Sequence, residues 1–152
     1  MITIIKKFKK SDGFTLFEIT IVLAIIGIIS AISVPIYQQI RPTLNLNSTT
    51  KDIISDLKYA QQLAVTEQDN YSIEFDIFFN KYTVTNTETG AIIKQKTINS
   101  DISIDSINGL TNDTLIFNVT GGVAEEGSLI LINSKNITTT ISIKPSGYVK
   151  IE

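Results

Sequence analysis

The sequence predicts an α+β protein. A long N-terminal helix is transmembrane in its first half, and its amphipathic second half packs on an antiparallel, β-rich C-terminal head. Three observations predict this. Phe14–Ile40 is an apolar run in which Glu18 is the only formal charge. Residues 51–68 (KDIISDLKYAQQLAVTEQ) repeat apolar side chains at helical spacing. From Ser72 onward, short alternating segments are separated by Gly, Asn and Pro turns. The chain has 152 residues, enough for one domain and an appendage. Its mean hydropathy of +0.19 is high for a wholly soluble chain, so the apolar residues are concentrated.

Composition narrows the function. The chain has no His, Cys or Trp. That removes imidazole general bases, thiolate nucleophiles, imidazole or thiolate metal sites, and disulfides. The net charge is −2 with a pI near 5.2, so no global basic field draws nucleic acid.

The N-terminus sets the class. MITIIKKFKKSDG carries Lys6, Lys7, Lys9 and Lys10, and the apolar run follows. A bilayer core of roughly 30 Å takes about 20 apolar residues in a helix. The Lys cluster places Met1–Gly13 on the cytoplasmic side and everything after Arg41 on the other. A buried helix of a soluble domain has the length but leaves the Lys cluster unexplained. A secretory signal peptide cut after Ala31-Ile32-Ser33 puts Glu18 inside its apolar region and Pro35 beside the cut. A retained membrane helix behind a short leader fits all of these. Glu18 then either snorkels at the membrane edge or awaits a cationic partner, and an intramembrane carboxylate points first to the second role. Pro35 removes a helix hydrogen bond, which bends or locally opens the helix.

Gly13-Phe14-Thr15-Leu16-Phe17-Glu18, behind a Lys-rich leader and before an apolar helix, resembles the leader of type IV pilins and type II secretion pseudopilins. The resemblance implies that a membrane prepilin peptidase cuts between Gly13 and Phe14 and that the new N-terminal Phe14 is methylated. It implies that Glu18 pairs with the Phe14 amine of a neighbouring subunit during assembly. It also makes Pro35 the family's helix-kinking proline. Phe17 departs from the pattern, since Leu or Ile is commoner there.

Past the membrane, Pro42 and the Asn- and Thr-rich stretch 43–50 predict a frayed hinge. Helical periodicity resumes with Ile53, Leu57, Ala60 and Ala64 on one face and Asp52, Asp56, Lys58 and Gln62 on the other. Strands are expected at Ser72–Ile77, Tyr82–Thr85, Ala91–Ile93, Ile102–Asp105, Leu115–Val119, Thr140–Ile143 and Tyr148–Ile151. Ser128–Ile132 (SLILI) reads as a strand buried on both faces. The predicted divisions are a leader at 1–13, a transmembrane assembly helix at 14–40, a hinge and amphipathic helix at 41–66, and the head at 67–152.

The head is similar to one branch of the family, the GspH/FimT-type minor pseudopilins. The matching segments are Asp56–Val65 (DLKYAQQLAV), Phe117–Gly122 (F-x-x-x-G-G) and Gly147–Ile151 (G-x-V-x-I). The resemblance implies a structural subunit, not an enzyme, that starts or caps a type II secretion pseudopilus or a type IV pilus. It implies no cofactor or metal. Its partners are the prepilin peptidase, the major pilin or pseudopilin, other minor subunits, the inner-membrane assembly platform and the lipid bilayer. The chain is expected as a single-pass inner-membrane protein with a cytoplasmic N-terminus and an extracytoplasmic head, and in the fibre after assembly.

Other candidates have plainer readings. Gly121-Gly122 lacks phosphate-loop spacing and reads as a turn. Asp101, Asp105 and Asp113 lack a calcium-loop pattern. Five Asn-x-Ser/Thr sequons (Asn47, Asn70, Asn112, Asn118, Asn136) follow from a chain rich in Asn and Thr. Glu125-Glu126 is a pair of adjacent acids in a Gly-bounded loop, too solvated for acid–base work. Tyr71, Phe75, Tyr82 and Phe117 read as core before they read as a base-stacking platform. A DNA-binding or adhesive minor pilin is the alternative function, through a patch of Lys135, Lys144 and Lys150. The leader takes four of the 13 basic and one of the 15 acidic residues, leaving nine against fourteen. Nucleic acid is therefore not an expected partner.

Overall fold

The computed structural model describes residues 13–152. The leader up to Asp12, with its Lys residues, lies outside the described residues. α1 runs from Leu16 to Glu67, 52 residues without interruption. The chain divides between Gln39 and Ile40, and everything from Ile40 on forms one compact unit. In the first segment every described residue, Gly13 to Gln39, is exposed, apolar or not. Thr20 Oγ1 donates to the Leu16 carbonyl (2.9 Å) and Ser33 Oγ to that of Ile29 (2.8 Å). Both hydroxyls are satisfied inside the helix and need no water.

In the second segment α1 buries a single stripe: Pro42, Leu46, Thr50, Ile53, Leu57, Ala60 and Ala64. The frayed hinge expected at 43–50 is regular helix. Poor intrinsic propensity is overridden there by packing. Leu46 and Thr50 are each 1% exposed. Thr50 Oγ1 donates to the Leu46 carbonyl (2.8 Å), and Asn45 Nδ2 donates to Asp101 (2.9 Å).

Eight strands follow: β1 Tyr71–Asp76, β2 Lys81–Asn86, β3 Ile92–Thr97, β4 Ile102–Asn108, β5 Thr114–Phe117, β6 Gly127–Asn133, β7 Thr138–Ile143 and β8 Val149–Ile151. They form two four-stranded antiparallel sheets, ordered β3-β2-β1-β5 and β4-β6-β7-β8. The chain visits the second sheet with β4 and returns to the first with β5. The first sheet buries Tyr71, Ile73 and Phe75 of β1, Tyr82 and Val84 of β2, and Leu115 and Phe117 of β5. The second contributes Ile102, Ile104, Leu129, Leu131, Ile141 and Ile143 to the same core. The alternation is that of sheets with one covered face. Ser128–Ile132 is accordingly not buried on both faces. Leu129 and Leu131 point inward, while Ile130 and Ile132 are half-buried.

The three head motifs meet at one side chain. Gln61 Nε2 donates to the carbonyls of Gly121 (2.6 Å) and Gly147 (3.3 Å). Gly147 has φ +76°, and a Cβ there would collide with the Gly121 carbonyl. Only glycine allows both loops to close on the helix.

Asp56 does not lie on a solvent face. It is 5% exposed. Tyr82 Oη donates to it at 2.5 Å and Lys94 Nζ at 2.6 Å. One turn earlier, Lys96 pairs with Asp52 at 2.8 Å. Four residues of helix rise about 6 Å and two of strand about 6.6 Å, so the two acids match the two lysines. Burial first, and then the Asp56 hydrogen bond, raise the Tyr82 phenol well above its ordinary value. Below about pH 10 the phenol is neutral in both folded and unfolded chains, so it makes stability no steeper in pH. Above that, only the unfolded chain ionises, and stability falls by up to ~1.4 kcal/mol per pH unit. Tyr82→Phe should cost ~1.5–3 kcal/mol at neutral pH and flatten the alkaline decline. Urea unfolding of the full chain in detergent from about pH 8 to 11 reads both effects. Parallel curves for the two proteins contradict this account.

Candidate assembly and processing site

The start of α1 is built from four residues. Thr15 is the N-cap and Leu16 the first helical residue, which puts Glu18 at the third position. Glu18 N–H donates to Thr15 Oγ1 at 3.2 Å. Glu18 Oε2 accepts from both Thr15 N–H and Thr15 Oγ1, each at 2.8 Å. This is a capping box, two residues each satisfying the other's backbone donor. A carboxylate in the first turn also faces the positive end of the helix dipole. The signature Thr15-x-x-Glu18 is present in the sequence, but the apolar run that follows draws attention to the charge of Glu18 before its capping geometry.

Gly13 and Phe14 lie immediately ahead of the cap. A Cβ on Gly13 would meet nothing within 4 Å, and Phe14 is 82% exposed. Among the described residues, nothing covers the peptide between them. Gly13 and Phe14 thus stand just ahead of the first helical turn, in which Glu18 lies. Pro35 stands further along, inside continuous helix. Among the described residues, α1 is long and apolar enough to cross a membrane.

The remaining sequence candidates are dispersed. Tyr71, Phe75, Tyr82 and Phe117 are all core residues at 2% exposure or less, so they offer no stacking platform. Lys135 and Lys144 lie at opposite ends of β7, so the basic patch is not assembled. Lys144 is 3.8 Å from Glu126, and Lys150 is 3.3 Å from Glu152. Glu125 turns away from Glu126 to accept from Thr111 N–H and Oγ1 at 2.8 and 2.9 Å. Those two bonds lower its pKa. Asp101 holds Asn45 and Arg41. Among the described residues no group of three or more Asp or Glu side chains is placed to hold a metal ion.

The family model for the prokaryotic N-terminal methylation motif matches residues 8–34. Two fimbrial proteins of Pseudomonas aeruginosa are each 30% identical to the chain over 135 residues, 84% of this chain and 82% of theirs. The chain belongs to the type IV pilin-like family. Its fold agrees with solved members of that family. The minor pseudopilin EpsH of the Vibrio cholerae type 2 secretion system superposes with a TM-score of 0.60 at 12% identity, over 71% of this chain and 96% of that one. The Pseudomonas aeruginosa type IV minor pilin FimU gives 0.58 at 17% identity, over 70% and 87%. The pilin-like architecture expected from the sequence, one long helix with an antiparallel β head, is therefore the architecture found.

The capping box predicts a local effect in this pilin-like chain. Thr15→Ala removes the side-chain acceptor of Glu18 N–H, at a typical cost of ~1 kcal/mol. Amide hydrogen exchange at residues 16–19 in micelles should then speed up about five-fold. Thr15→Ser should leave it unchanged. Equal exchange in wild type and Thr15→Ala contradicts the cap.

Proposed function

We propose that the chain is a minor pseudopilin or minor pilin of the GspH/FimT type, which starts or caps a type II secretion pseudopilus or type IV pilus. The observation that carries this is the placement of Glu18. It is the only formal charge between Phe14 and Ile40, and it lies in the first helical turn, four residues after Phe14.

In this reading the chain divides into a leader (1–13), an assembly helix (14–40), a membrane-exit and amphipathic segment (41–66) and the head (67–152). A prepilin peptidase cuts after Gly13, and Phe14 becomes the methylated N-terminus. Residues 14–40 hold the chain in the inner membrane with the head on the extracytoplasmic side. Assembly extracts that helix into a bundle of similar helices from major and minor subunits, at an inner-membrane platform. There Glu18 meets the Phe14 amine of a neighbour.

Glu18 and Pro35 each support this reading on physical grounds. A carboxylate at the centre of a membrane helix costs about 2.5–3.5 kcal/mol on insertion scales, and less near the interface. Glu18 stands near the interface, and Thr15 supplies two hydrogen bonds to it. A cationic partner in a bundle of apolar helices adds a charge pair that sets register between subunits. Pro35 withholds one backbone donor, which allows the helix to bend or open where it passes between its two environments. The role is structural, and no step requires a reaction at the head.

Glu18→Gln separates capping from pairing, because Gln also serves in a capping box. The variant should insert at wild-type level and enter fibres about a hundredfold less well or worse, the order expected when one member of a buried pair is lost at ~3 kcal/mol or more. Cross-linking into the native fibre measures this. A bulky replacement of Gly13, such as Gly13→Leu, should leave an uncut precursor visible by gel shift. Normal incorporation of Glu18→Gln contradicts the pairing role, and normal processing of Gly13→Leu contradicts the cleavage site.

A further inference from the structure

The turn between β1 and β2 reads Ile77-Phe78-Phe79-Asn80. Ile77, Phe78 and Phe79 are 44%, 88% and 63% exposed, although turn tips usually carry Gly, Asn, Asp or Ser. The turn is well defined. Phe79 N–H donates to Asp76 Oδ1 at 2.9 Å. The two rings meet edge to face at 4.9 Å, and Lys81 Nζ lies 5.1 Å from the Phe79 ring centre.

Its position in the head is informative. Asn80 Nδ2 donates to the Ile102 carbonyl (2.7 Å), and Ile104 N–H donates to Asn80 Oδ1 (3.2 Å). The residue before Ile102 is Asp101, which accepts from Asn45 and pairs with Arg41 at 3.6 Å. Arg41 is the first residue after the apolar run. Ser134, in the β6–β7 turn, donates its N–H to the Asp101 carbonyl at 3.1 Å. That turn brings Lys135 and Ile137, which is 43% exposed. The end of the head where the apolar run enters thus gathers exposed Ile and Phe side chains with Arg41, Lys81 and Lys135. Of the carboxylates there, Asp101 faces Arg41 and Asp76 lies 4.0 Å from Lys81.

Exposed aromatic side chains at one end of the head, with Lys and Arg at the same end, suit the boundary between acyl chains and headgroups. We propose that the Ile77-Phe78-Phe79 tip inserts into the interface of the same bilayer that holds residues 14–40, with Arg41, Lys81 and Lys135 at the level of anionic headgroups. The inference rests on the membrane-anchored reading above. The tip gives the head a second hold on the membrane and keeps it seated until the helix is extracted. Connectivity favours the bilayer over a second copy as occupant, because the tip is tied to the residues that leave the membrane.

The chain contains no Trp, so single indoles report without background. The full chain is placed in phosphatidylethanolamine–phosphatidylglycerol vesicles containing lipids brominated at defined depths. Three variants are compared: Phe79→Trp at the tip, Ile25→Trp inside the span, and Tyr148→Trp in the β7–β8 turn, at the other end of β7. The indole at 79 should be blue-shifted and quenched best by shallow bromine, about 5–10 Å into the headgroup–acyl boundary. The indole at 25 should be quenched by deep bromine, and that at 148 should stay water-like and unquenched. Phe78→Trp should repeat the result at 79. A water-like, unquenched indole at 79 beside a quenched one at 25 overturns the inference and leaves the anchor standing. An unquenched indole at 25 overturns both. A blue shift at 79 that lipid does not quench, and that grows with protein-to-lipid ratio, means a second copy covers the tip and also overturns it. Shallow quenching at 148 as well as at 79 overturns a tip-specific insertion.

Discussion

α1 changes the kind of apolar surface it presents partway along its length, and the rest of the structure follows from that change. Up to Ile40 it is apolar on all sides. Beyond Arg41 it is apolar along one stripe. A helix satisfies its own backbone, so the first part is suited to an environment without water. The stripe needs a partner that covers one side only, and a β head with one buried face per sheet supplies it. Burying side chains at ~25 cal/mol per Å² gives the driving force, and Ala60 and Ala64 on the stripe are fully buried.

Two carboxylates show how polarity is handled along this helix. Asp56 is buried under the head and is met by a phenol and an ammonium group from neighbouring strands. Glu18, at the far end of the same helix, is met by the cap residue Thr15. Asp56 is answered entirely from within the chain. In the proposed function, Glu18 is answered partly from within and partly by a sister subunit. A charge left incompletely answered inside one molecule is what makes it useful between molecules.

Local patterns were legible in the sequence, and long-range ones were not. The apolar run, the stripe from Ile53 to Ala64 and most strands follow from periodicity over a few residues, and the structure has them. The failures share a cause. The helix through Thr43–Thr50 depends on what covers Leu46 and Thr50, which no local pattern records. The burial of Asp56 depends on Lys94 and Tyr82, each at least 26 residues away. The half-buried Ile130 and Ile132 depend on the strands dividing into two sheets, because a continuous apolar run does not say how many of its faces are covered. At the candidate site, Gly13, Phe14 and Glu18 stood out as a short motif. Thr15 was equally visible but needed the helix start to be fixed before its role could be read.

The account centres on a helix that begins its working life at Phe14, with a new amine available to a neighbour's Glu18. Intact-mass and peptide mass spectrometry of the chain purified from its native membrane tests this most directly. The account predicts a species that begins at Phe14 and carries one methyl group on that residue. A chain that retains its first thirteen residues, or one that begins after Ser33, contradicts it.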